Sequence, residues 1–239
     1  MILYSNGDSH AAGAEINDLR HVPATEFDYL TPHPDNIAHS YGYLLAKKLN
    51  LEFATDAQNG ASNDRILRTT RDFINNNSHK DIFVLIGWST TDRKEVKIDN
   101  EYYSFSPGYR VPNNKNSVLN AEFKKYILAL DHQAVTDQNN LWHKQIYKFH
   151  QELSNSNIPH LFFNTFSIFN ESGKLDHEKI HYNWDHNMIG PYHKHETYYW
   201  WIKDQGYNTV SKNSYHYGAD AHQRWADFLY NWLTDHQLL

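Results

Sequence analysis

One serine near the start of the chain stands where a nucleophile would be exposed. The chain opens on an apolar run, residues 1–5, which predicts a buried strand, and Asn6 and Gly7 end that strand in a tight turn. Asp8 and Ser9 follow at once, so Ser9 lies at the carboxyl end of the first strand, where open parallel sheets bind ligands. A serine hydroxyl held there could attack a carbonyl carbon, with its own backbone N–H directed at the carbonyl oxygen. The alternative interpretation is an ordinary turn serine that caps the following helix.

The elements that would position this serine alternate between strands and helices. Apolar residues at three- and four-residue spacing predict amphipathic helices over residues 36–49 and at about 219–235. Residues 81–86 form a continuous apolar run, which is typical of a central parallel strand covered on both faces. Further strands are expected at 51–54 and 158–163, and further helices after Ser62, at about 119–132 and at 138–154. This alternation predicts an α/β fold with a central parallel sheet.

Two stretches lack this regular pattern. Residues 99–117 carry two prolines, a glycine and several asparagines, and they predict a long surface loop. From about residue 164 to 212 the periodicity fails while histidines and aromatic residues become frequent, so we expect an irregular insertion that partly covers the site. No internal repeat, linker or low-complexity run interrupts the sequence. The chain is therefore predicted to form one domain over residues 1–239.

Four short motifs resemble those of the SGNH hydrolases, a family of esterases, lipases, thioesterases and carbohydrate deacetylases. They are Gly7-Asp8-Ser9 after the first strand, Asn59-Gly60-Ala61-Ser62 after the second, Gly87-Trp88-Ser89-Thr90 after the central strand, and Asn213-Ser214-Tyr215-His216 before the final helix. The resemblance implies a flavodoxin-like three-layer sandwich. It also implies that Ser9 is the nucleophile and His216 the base, and that the backbone N–H groups of Ser9 and Gly60 bind the oxyanion.

The chain departs from the family pattern at two positions that matter chemically. Ser89 replaces an Asn that binds the oxyanion, and its hydroxyl has a shorter reach. Asn213 replaces the Asp that orients the base, and an amide can hold the ring but cannot stabilise an imidazolium. Because losing one oxyanion donor typically lowers the rate by about 10²–10³, we expect a slow or specialised enzyme. Asp220 or Asp185 could supply the missing carboxylate, and the sequence leaves that choice open.

Two histidines near the end of the chain could serve as the base. His216 lies in the predicted loop before the final helix, whereas His222 lies inside that helix. A base on a loop is better placed to reach the turn of a neighbouring strand. We therefore predict that His216 is the base and keep His222 as the alternative.

Three further residues beside these motifs are candidates for contacting a substrate: Asp8, Trp88 and Arg93. Asp8 has a structural alternative, because an Asp in such a turn can accept hydrogen bonds from neighbouring backbone N–H groups. Arg93 also has one, since it could pair with Glu95 in a solvated loop ion pair that contributes little to stability.

The crowded histidines of the last third raise the question of a metal site, because neutral imidazole is a common ligand. They show no spacing typical of a zinc motif, and we expect neither a metal nor another cofactor; the residues are His177, His181, His186, His193 and His195. Residues 198–201 are predicted to pack the insertion onto the sheet, although some of them could stack on a sugar ring.

Composition excludes several classes of protein. The 239 residues include no Cys, so there is no disulfide framework, thiolate metal site or thiol nucleophile. The 22 Lys and Arg residues are scattered and the net charge is −6, which argues against binding nucleic acid. No stretch approaches the ~20 apolar residues that span a bilayer, and nothing before Ser9 has the pattern of a signal peptide. We therefore expect a cytoplasmic protein that binds neither nucleic acid nor membranes.

Two functions of different classes fit these residues. The first is a serine hydrolase that cleaves a small-molecule or carbohydrate ester, such as an O-acetyl group, by a Ser-His mechanism. The second is a catalytically weakened protein of the same fold that binds a glycan or a protein partner. A separation of about 2.6–3.2 Å between the Ser9 hydroxyl and its base would favour the first.

Overall fold

The computed structural model describes residues 1–16, 32–107, 117–169 and 182–239. Its strands and helices, in chain order, are β1 (Ile2–Gly7), α1 (Pro34–Ile37), α2 (Tyr41–Leu49), β2 (Glu52–Thr55), α3 (Asn63–Asn76), β3 (Ile82–Trp88), β4 (Lys94–Ile98), β5 (Glu101–Phe105), α4 (Ser117–Ala129), α5 (His132–Asn155), β6 (His160–Asn164), β7 (Met188–Ile189), α6 (Tyr198–Asp204) and α7 (Ala219–Asp235). A short 3₁₀ turn, Lys194–Glu196, precedes α6.

Five of the strands form one parallel sheet in the order β2-β1-β3-β6-β7. When only these five are numbered along the chain, the order is 2-1-3-4-5, which is the flavodoxin-like arrangement. Strands β4 and β5 pair with each other in a separate antiparallel hairpin. The predicted α/β architecture with a central parallel sheet is confirmed.

The sheet carries an apolar core on each face, because successive side chains of a strand point to opposite sides. Leu3 and Leu85 pack on the face covered by α2 and α7, together with Trp225 of α7. Tyr4 and Val84 pack on the opposite face, where α3 and α5 supply further apolar side chains, among them Ile66 and Phe149. Both central strands are buried along their whole length, which explains their continuous apolar sequences.

The boundaries of some elements differ from the predicted ones for local reasons. The helix predicted over residues 36–49 is two helices, because Ser40 has an extended backbone and its hydroxyl caps α2 by accepting a hydrogen bond from the Tyr43 N–H at 3.4 Å. The predicted loop at 99–117 contains β5, and residues 108–116 of it lie outside the described part of the chain. Ser62 caps α3, as predicted, by accepting from the Arg65 N–H.

The stretch predicted to be irregular, residues 164–212, contributes to the main fold. Strand β7 adds to the edge of the sheet by pairing with β6, and Tyr198 and Ile202 of α6 are fully buried in the core. Residues 170–181 of this stretch lie outside the described residues. Within the described ranges, none of the helices combines the length and the apolar character needed to cross a bilayer.

Candidate active site

Ser9 lies directly beyond the carboxyl end of β1, a strand that is flanked by β2 and β3 in the sheet. Gly7 pairs with Gly87 of β3, and a Cβ at Gly7 would come within 2.7 Å of the Gly87 carbonyl oxygen. A glycine is therefore needed at position 7 for the two strands to approach closely at their ends. The Ser9 carbonyl accepts a hydrogen bond from the Ala14 N–H at 2.9 Å, so the chain after Ser9 folds back in tight turns.

His216 reaches Ser9 from the loop that precedes α7. Its Nε2 lies 2.8 Å from the Ser9 hydroxyl oxygen, within hydrogen-bond distance. Its backbone carbonyl accepts from the Val210 N–H at 2.9 Å, and Tyr217 forms a β-bridge with Thr209. These contacts join the loop that carries His216 to residues 209–210 and so fix the position of the imidazole.

Glu15 occupies the other side of the same ring. Its Oε2 lies 3.0 Å from the His216 Nδ1, and it also accepts a hydrogen bond from the Ser214 hydroxyl. The Glu15 backbone has a φ of 64°, a left-handed conformation that side chains other than glycine adopt uncommonly. Because the carboxylate accepts from Nδ1–H, Nε2 keeps its lone pair facing the Ser9 hydroxyl.

Ser9, His216 and Glu15 thus form a chain of polar contacts with the order of a serine triad. The hydrogen bond from His216 holds the pKa of the Glu15 carboxyl below its ordinary value, against the opposing effect of burial. The His10 ring lies 5.0 Å from the His216 ring, and burial lowers the pKa of His10 well below its usual range. The carboxylate of Glu15 is therefore a charged neighbour of His216, whereas His10 is a neutral one.

The expected role of Asn213 is wrong. Asn213 is exposed, and among the described residues the partners of the His216 Nδ1 are Glu15 and, at 3.5 Å, the Ser214 hydroxyl. Asp220 and Asp185, the two alternative carboxylates, are exposed and are not among those partners. Glu15, and not Asn213, therefore makes the contact that orients the His216 ring.

A second polar cluster lies on the β3 side of Ser9. The Asp8 Oδ2 accepts from the Ser89 hydroxyl at 3.0 Å and from the Arg93 Nη1 at 3.2 Å, while its Oδ1 accepts from the His10 N–H at 3.1 Å. Arg93 Nη1 also donates to the Ser89 hydroxyl oxygen at 2.9 Å and to the Ala61 carbonyl at 3.3 Å. The Asp8 side chain is only 3% exposed, so this is a buried ion pair that anchors the turn holding Ser9.

This cluster corrects three of the expected roles. Ser89 receives a hydrogen from Arg93 and gives its only hydrogen to Asp8, so its hydroxyl is not a donor for an oxyanion in this arrangement. The prediction that Asp8 contacts substrate is wrong, because the carboxylate is buried and both oxygens are occupied by protein donors. Arg93 binds these protein acceptors, and Glu95 pairs with Arg68 at 2.7 Å instead of with Arg93.

Two aromatic candidates belong to the core. Trp88 is 1% exposed and packs edge-on against Phe149 and Phe162, so the prediction that it contacts substrate is wrong. His222 lies inside α7, as expected, and its Nδ1 accepts from the Tyr41 N–H at 3.2 Å. Burial lowers the pKa of His222 to about 3, and its contacts identify it as a neutral packing residue instead of a base for Ser9.

Gly60 lies in the turn after β2 with a φ of 72°, a conformation that favours glycine. The same turn is joined to the nucleophile turn, because the Gln58 N–H donates to the Gly7 carbonyl at 3.2 Å. The backbone contacts therefore bring the second motif beside Ser9. The role of the Gly60 N–H as an oxyanion donor stays a prediction.

The residue that precedes His216 in the chain is an exposed tyrosine. Tyr215 is 65% exposed, and its ring stands nearly perpendicular to that of Phe166, with 6.0 Å between their centres. Phe166 follows the carboxyl end of β6 and packs against Tyr199, whose N–H donates to the Thr165 carbonyl. Tyr215 therefore presents a largely exposed ring next to His216 in the sequence.

The described histidines form no metal centre. No group of three or more His, Asp or Glu side chains within the described ranges is arranged to hold a metal ion. His195 pairs with Asp204 at the surface, at 2.6 Å. His177 and His181 lie outside the described residues.

The sequence motifs did not reveal Glu15 as a member of the site. The resemblance placed the acid close to His216 in the chain, whereas Glu15 and His216 are 201 positions apart. A usable signal was the presence of a carboxylate six residues after the nucleophile, in a segment with Gly13 to allow a tight turn. That signal identifies a candidate but does not predict its contact.

Comparisons with known proteins give a family and a similarity to solved structures. None of the curated proteins matches the chain. A solved carbohydrate esterase, described as having an active site with divergent catalytic and non-catalytic binding functions, is 16% identical, with a TM-score of 0.47. The similarity covers 98% of this chain and 64% of that one, so the chain spans less than two thirds of its length. Residues 31–172, more than half of the sequence, match the family described as "Family of unknown function (DUF6071)", and the chain belongs to that family.

Proposed function

We propose that the protein is a serine esterase of the SGNH type, with Ser9 as nucleophile, His216 as general base and Glu15 as the acid of the triad. The observation that carries this proposal is the continuous contact from the Ser9 hydroxyl to the His216 Nε2 at 2.8 Å and from the His216 Nδ1 to the Glu15 carboxylate at 3.0 Å. The flavodoxin-like strand order supports it, because Ser9 then lies at the carboxyl edge of the sheet.

The proposed reaction runs through an acyl-enzyme. The Ser9 oxygen attacks the ester carbonyl carbon while the His216 Nε2 takes the hydroxyl proton, and the carbonyl oxygen becomes an oxyanion. The C–O bond to the alcohol then breaks, and the imidazolium returns the proton to the departing oxygen. A water molecule, deprotonated by His216, releases the acid from Ser9 by the same steps. Glu15 holds the required tautomer and stabilises the imidazolium.

The oxyanion would be bound by backbone donors. The N–H groups of Ser9 and Gly60 remain for this task, since the Ser89 hydroxyl donates to Asp8. Removing one donor from an oxyanion site typically lowers the rate by about 10²–10³. We therefore expect turnover below that of an enzyme with a side-chain donor at position 89.

For the substrate, we propose an O-acylated carbohydrate. Tyr215 precedes His216 in the chain, and its exposed ring, which packs edge-on against Phe166, offers a flat apolar surface with a polar edge on which a sugar ring can stack. Substitution of Tyr215 by Ala should raise the KM for an O-acetylated oligosaccharide and leave cleavage of 4-nitrophenyl acetate unchanged. Tyr102, 47% exposed on the β4–β5 hairpin, provides the matched control, and Tyr102→Ala should change neither.

The proposed activity is tested by ester cleavage. The wild-type protein should release nitrophenol from 4-nitrophenyl acetate, and Ser9→Ala should abolish the catalysed release, because no other nucleophile is assigned. Equal turnover by the two proteins would contradict the esterase.

A second candidate function is binding of a glycan without catalysis. One observation favours it, namely that the hydroxyl at position 89, where a side-chain oxyanion donor is expected, is engaged by Asp8 and Arg93. In that case a folded wild-type protein would bind acetylated oligosaccharides in calorimetry and would not cleave them.

A further inference from the structure

Arg93 joins the three chain segments that surround the nucleophile. Its Nη1 lies within 3.2 Å of the Asp8 carboxylate, 2.9 Å of the Ser89 hydroxyl oxygen and 3.3 Å of the Ala61 carbonyl. Asp8 precedes Ser9, Ala61 follows Gly60, and Ser89 belongs to the third motif. The Arg93 Nη1 thus contacts Asp8 and Ala61, which are the chain neighbours of the two proposed oxyanion donors. It also contacts Ser89, which stands where the family has an oxyanion-binding Asn.

We propose that Arg93 is a positioning residue for the oxyanion site. This inference rests on the proposed esterase function and adds a residue to it. The two hydrogens of Nη1, shared among three acceptors, fix the distance between the Ser9 turn and the Gly60 turn. An oxyanion site depends on donors held about 2.7–3.1 Å from the place where charge develops, so this spacing affects the rate.

The charge of Arg93 has a second effect. Asp8 is almost fully buried and directly precedes the nucleophile, where its negative charge would oppose a developing oxyanion. The Arg93 guanidinium compensates that charge from 3.2 Å, and the Arg93 side chain is 21% exposed. A buried carboxylate without its partner is unfavourable both for the fold and for the transition state.

A second arginine–carboxylate ion pair lies nearby. Its described contacts do not include Asp8, Ala61 or Ser89, so it can separate the role of Arg93 from a general loss of stability. Arg68 on α3 makes a two-pronged ion pair with Glu95, at 2.8 and 2.7 Å, and the Glu95 side chain is 6% exposed. Removing Arg68 therefore also breaks a partly buried ion pair. It serves as the matched control for a loss of stability alone.

The first test compares Arg93→Ala with Arg68→Ala in steady-state cleavage of 4-nitrophenyl acetate. Arg93→Ala should lower kcat by about 10²-fold with little change in KM, the size expected for disturbing one oxyanion donor. Arg68→Ala should keep kcat near the wild-type value. Guanidinium ions at millimolar concentration should restore part of the activity of Arg93→Ala only. Equal kcat values in Arg93→Ala and Arg68→Ala, or an absence of rescue, would overturn the proposal.

Two more variants cover the case in which Arg93→Ala fails to fold. Arg93→Lys keeps a positive charge beside Asp8 but cannot join the three acceptors in the same geometry, so kcat should fall while circular dichroism stays native. Adding Asp8→Asn to Arg93→Ala should recover part of the activity, because it removes the uncompensated charge but does not restore the contacts that hold the two turns. A wild-type kcat in Arg93→Lys would contradict the positioning role. Failure of the wild-type protein itself to show Ser9-dependent turnover would instead overturn the esterase, and this inference with it.

Discussion

The carboxylate of Glu15 lies 3.0 Å from the His216 Nδ1, and in the proposed mechanism it sets the tautomer of the ring and faces the positive charge that the ring would gain. Changing Glu15 to Gln keeps the shape but removes the charge, and an amide can hold the wrong tautomer. We expect kcat to fall by about 10²–10⁴, since the corresponding Asp-to-Asn change in a serine triad lowers kcat by about 10⁴. Steady-state kinetics on 4-nitrophenyl acetate measure this loss.

Asn213 offers the control for this prediction. It is exposed in the same loop as His216, and Asn213→Ala should leave kcat near the wild-type value. The reverse result, with Asn213→Ala slow and Glu15→Gln unaffected, would assign the orienting role to Asn213 and contradict the geometry of the site.

At the residue scale, sequence reasoning placed Ser9 and His216 together but missed Glu15. The first two belong to short motifs at the ends of predictable elements, and the structure brings their side chains to 2.8 Å. The contact of Glu15 depends on left-handed backbone at Gly13 and Glu15, which a single sequence does not predict. The hydrogen bonds of the Ser89 hydroxyl were not predictable for a related reason, because they depend on the contact of Arg93 with Asp8 across 85 positions of the chain.

At the scale of elements, a pair of buried histidines joins helix α5 to strand β6. The His160 Nδ1 donates to the Ile158 carbonyl at 2.8 Å, so its Nε2 accepts from the His150 Nδ1 at 2.9 Å. The two facing nitrogens cannot both carry a hydrogen, so this contact is lost when both rings are protonated. Burial lowers the pKa of His150 and lowers that of His160 to about 4.

This pair predicts a loss of stability in acid. A histidine with a folded pKa below its unfolded value of about 6.5 stabilises the fold above pH 6.5, and that contribution is lost as the pH falls toward about 4. The free energy of unfolding from urea titrations should therefore decrease between pH 7 and pH 4. His160→Gln should show a smaller decrease over the same range. An identical pH dependence in the variant and the wild type would contradict the assignment.

Elements with strong periodicity were the predictable part of the fold. The buried strands β1 and β3 and the amphipathic helix α7 follow from apolar runs and spacing, and Ser62 was recognisable as a cap. Strand β7 is only Met188–Ile189, too short to give a pattern, and its pairing with β6 decides that it is a strand. Tertiary contact, not local sequence, defines such an element.

At the scale of the whole molecule, we predict one domain that unfolds in a single transition. Ile202 of α6 is fully buried among core residues that also include Trp225 and Leu3, so the segment before α7 and the sheet share one core. Ile202→Ala should lower the stability of the whole protein by about 2–5 kcal/mol. Leu128→Ala, at a position that is 75% exposed, should change it by less than about 0.5 kcal/mol.

Thermal and urea unfolding, followed by circular dichroism and tryptophan fluorescence, check this prediction. In both variants, Ile202→Ala and Leu128→Ala, the transitions followed by circular dichroism and by fluorescence are expected to coincide. Limited proteolysis adds an independent readout, and release of residues 164–212 as a separately folded fragment would refute the single domain.

The most direct test of the central claim is covalent labelling of Ser9 by a fluorophosphonate, located by mass spectrometry of the labelled peptide. The reagent needs an activated serine but no knowledge of the natural substrate. The account predicts rapid labelling at Ser9 in the wild-type protein, slow labelling in Glu15→Gln, and none in His216→Ala. A folded wild-type protein that remains unlabelled at Ser9, or a His216→Ala variant labelled as fast as the wild type, would contradict it.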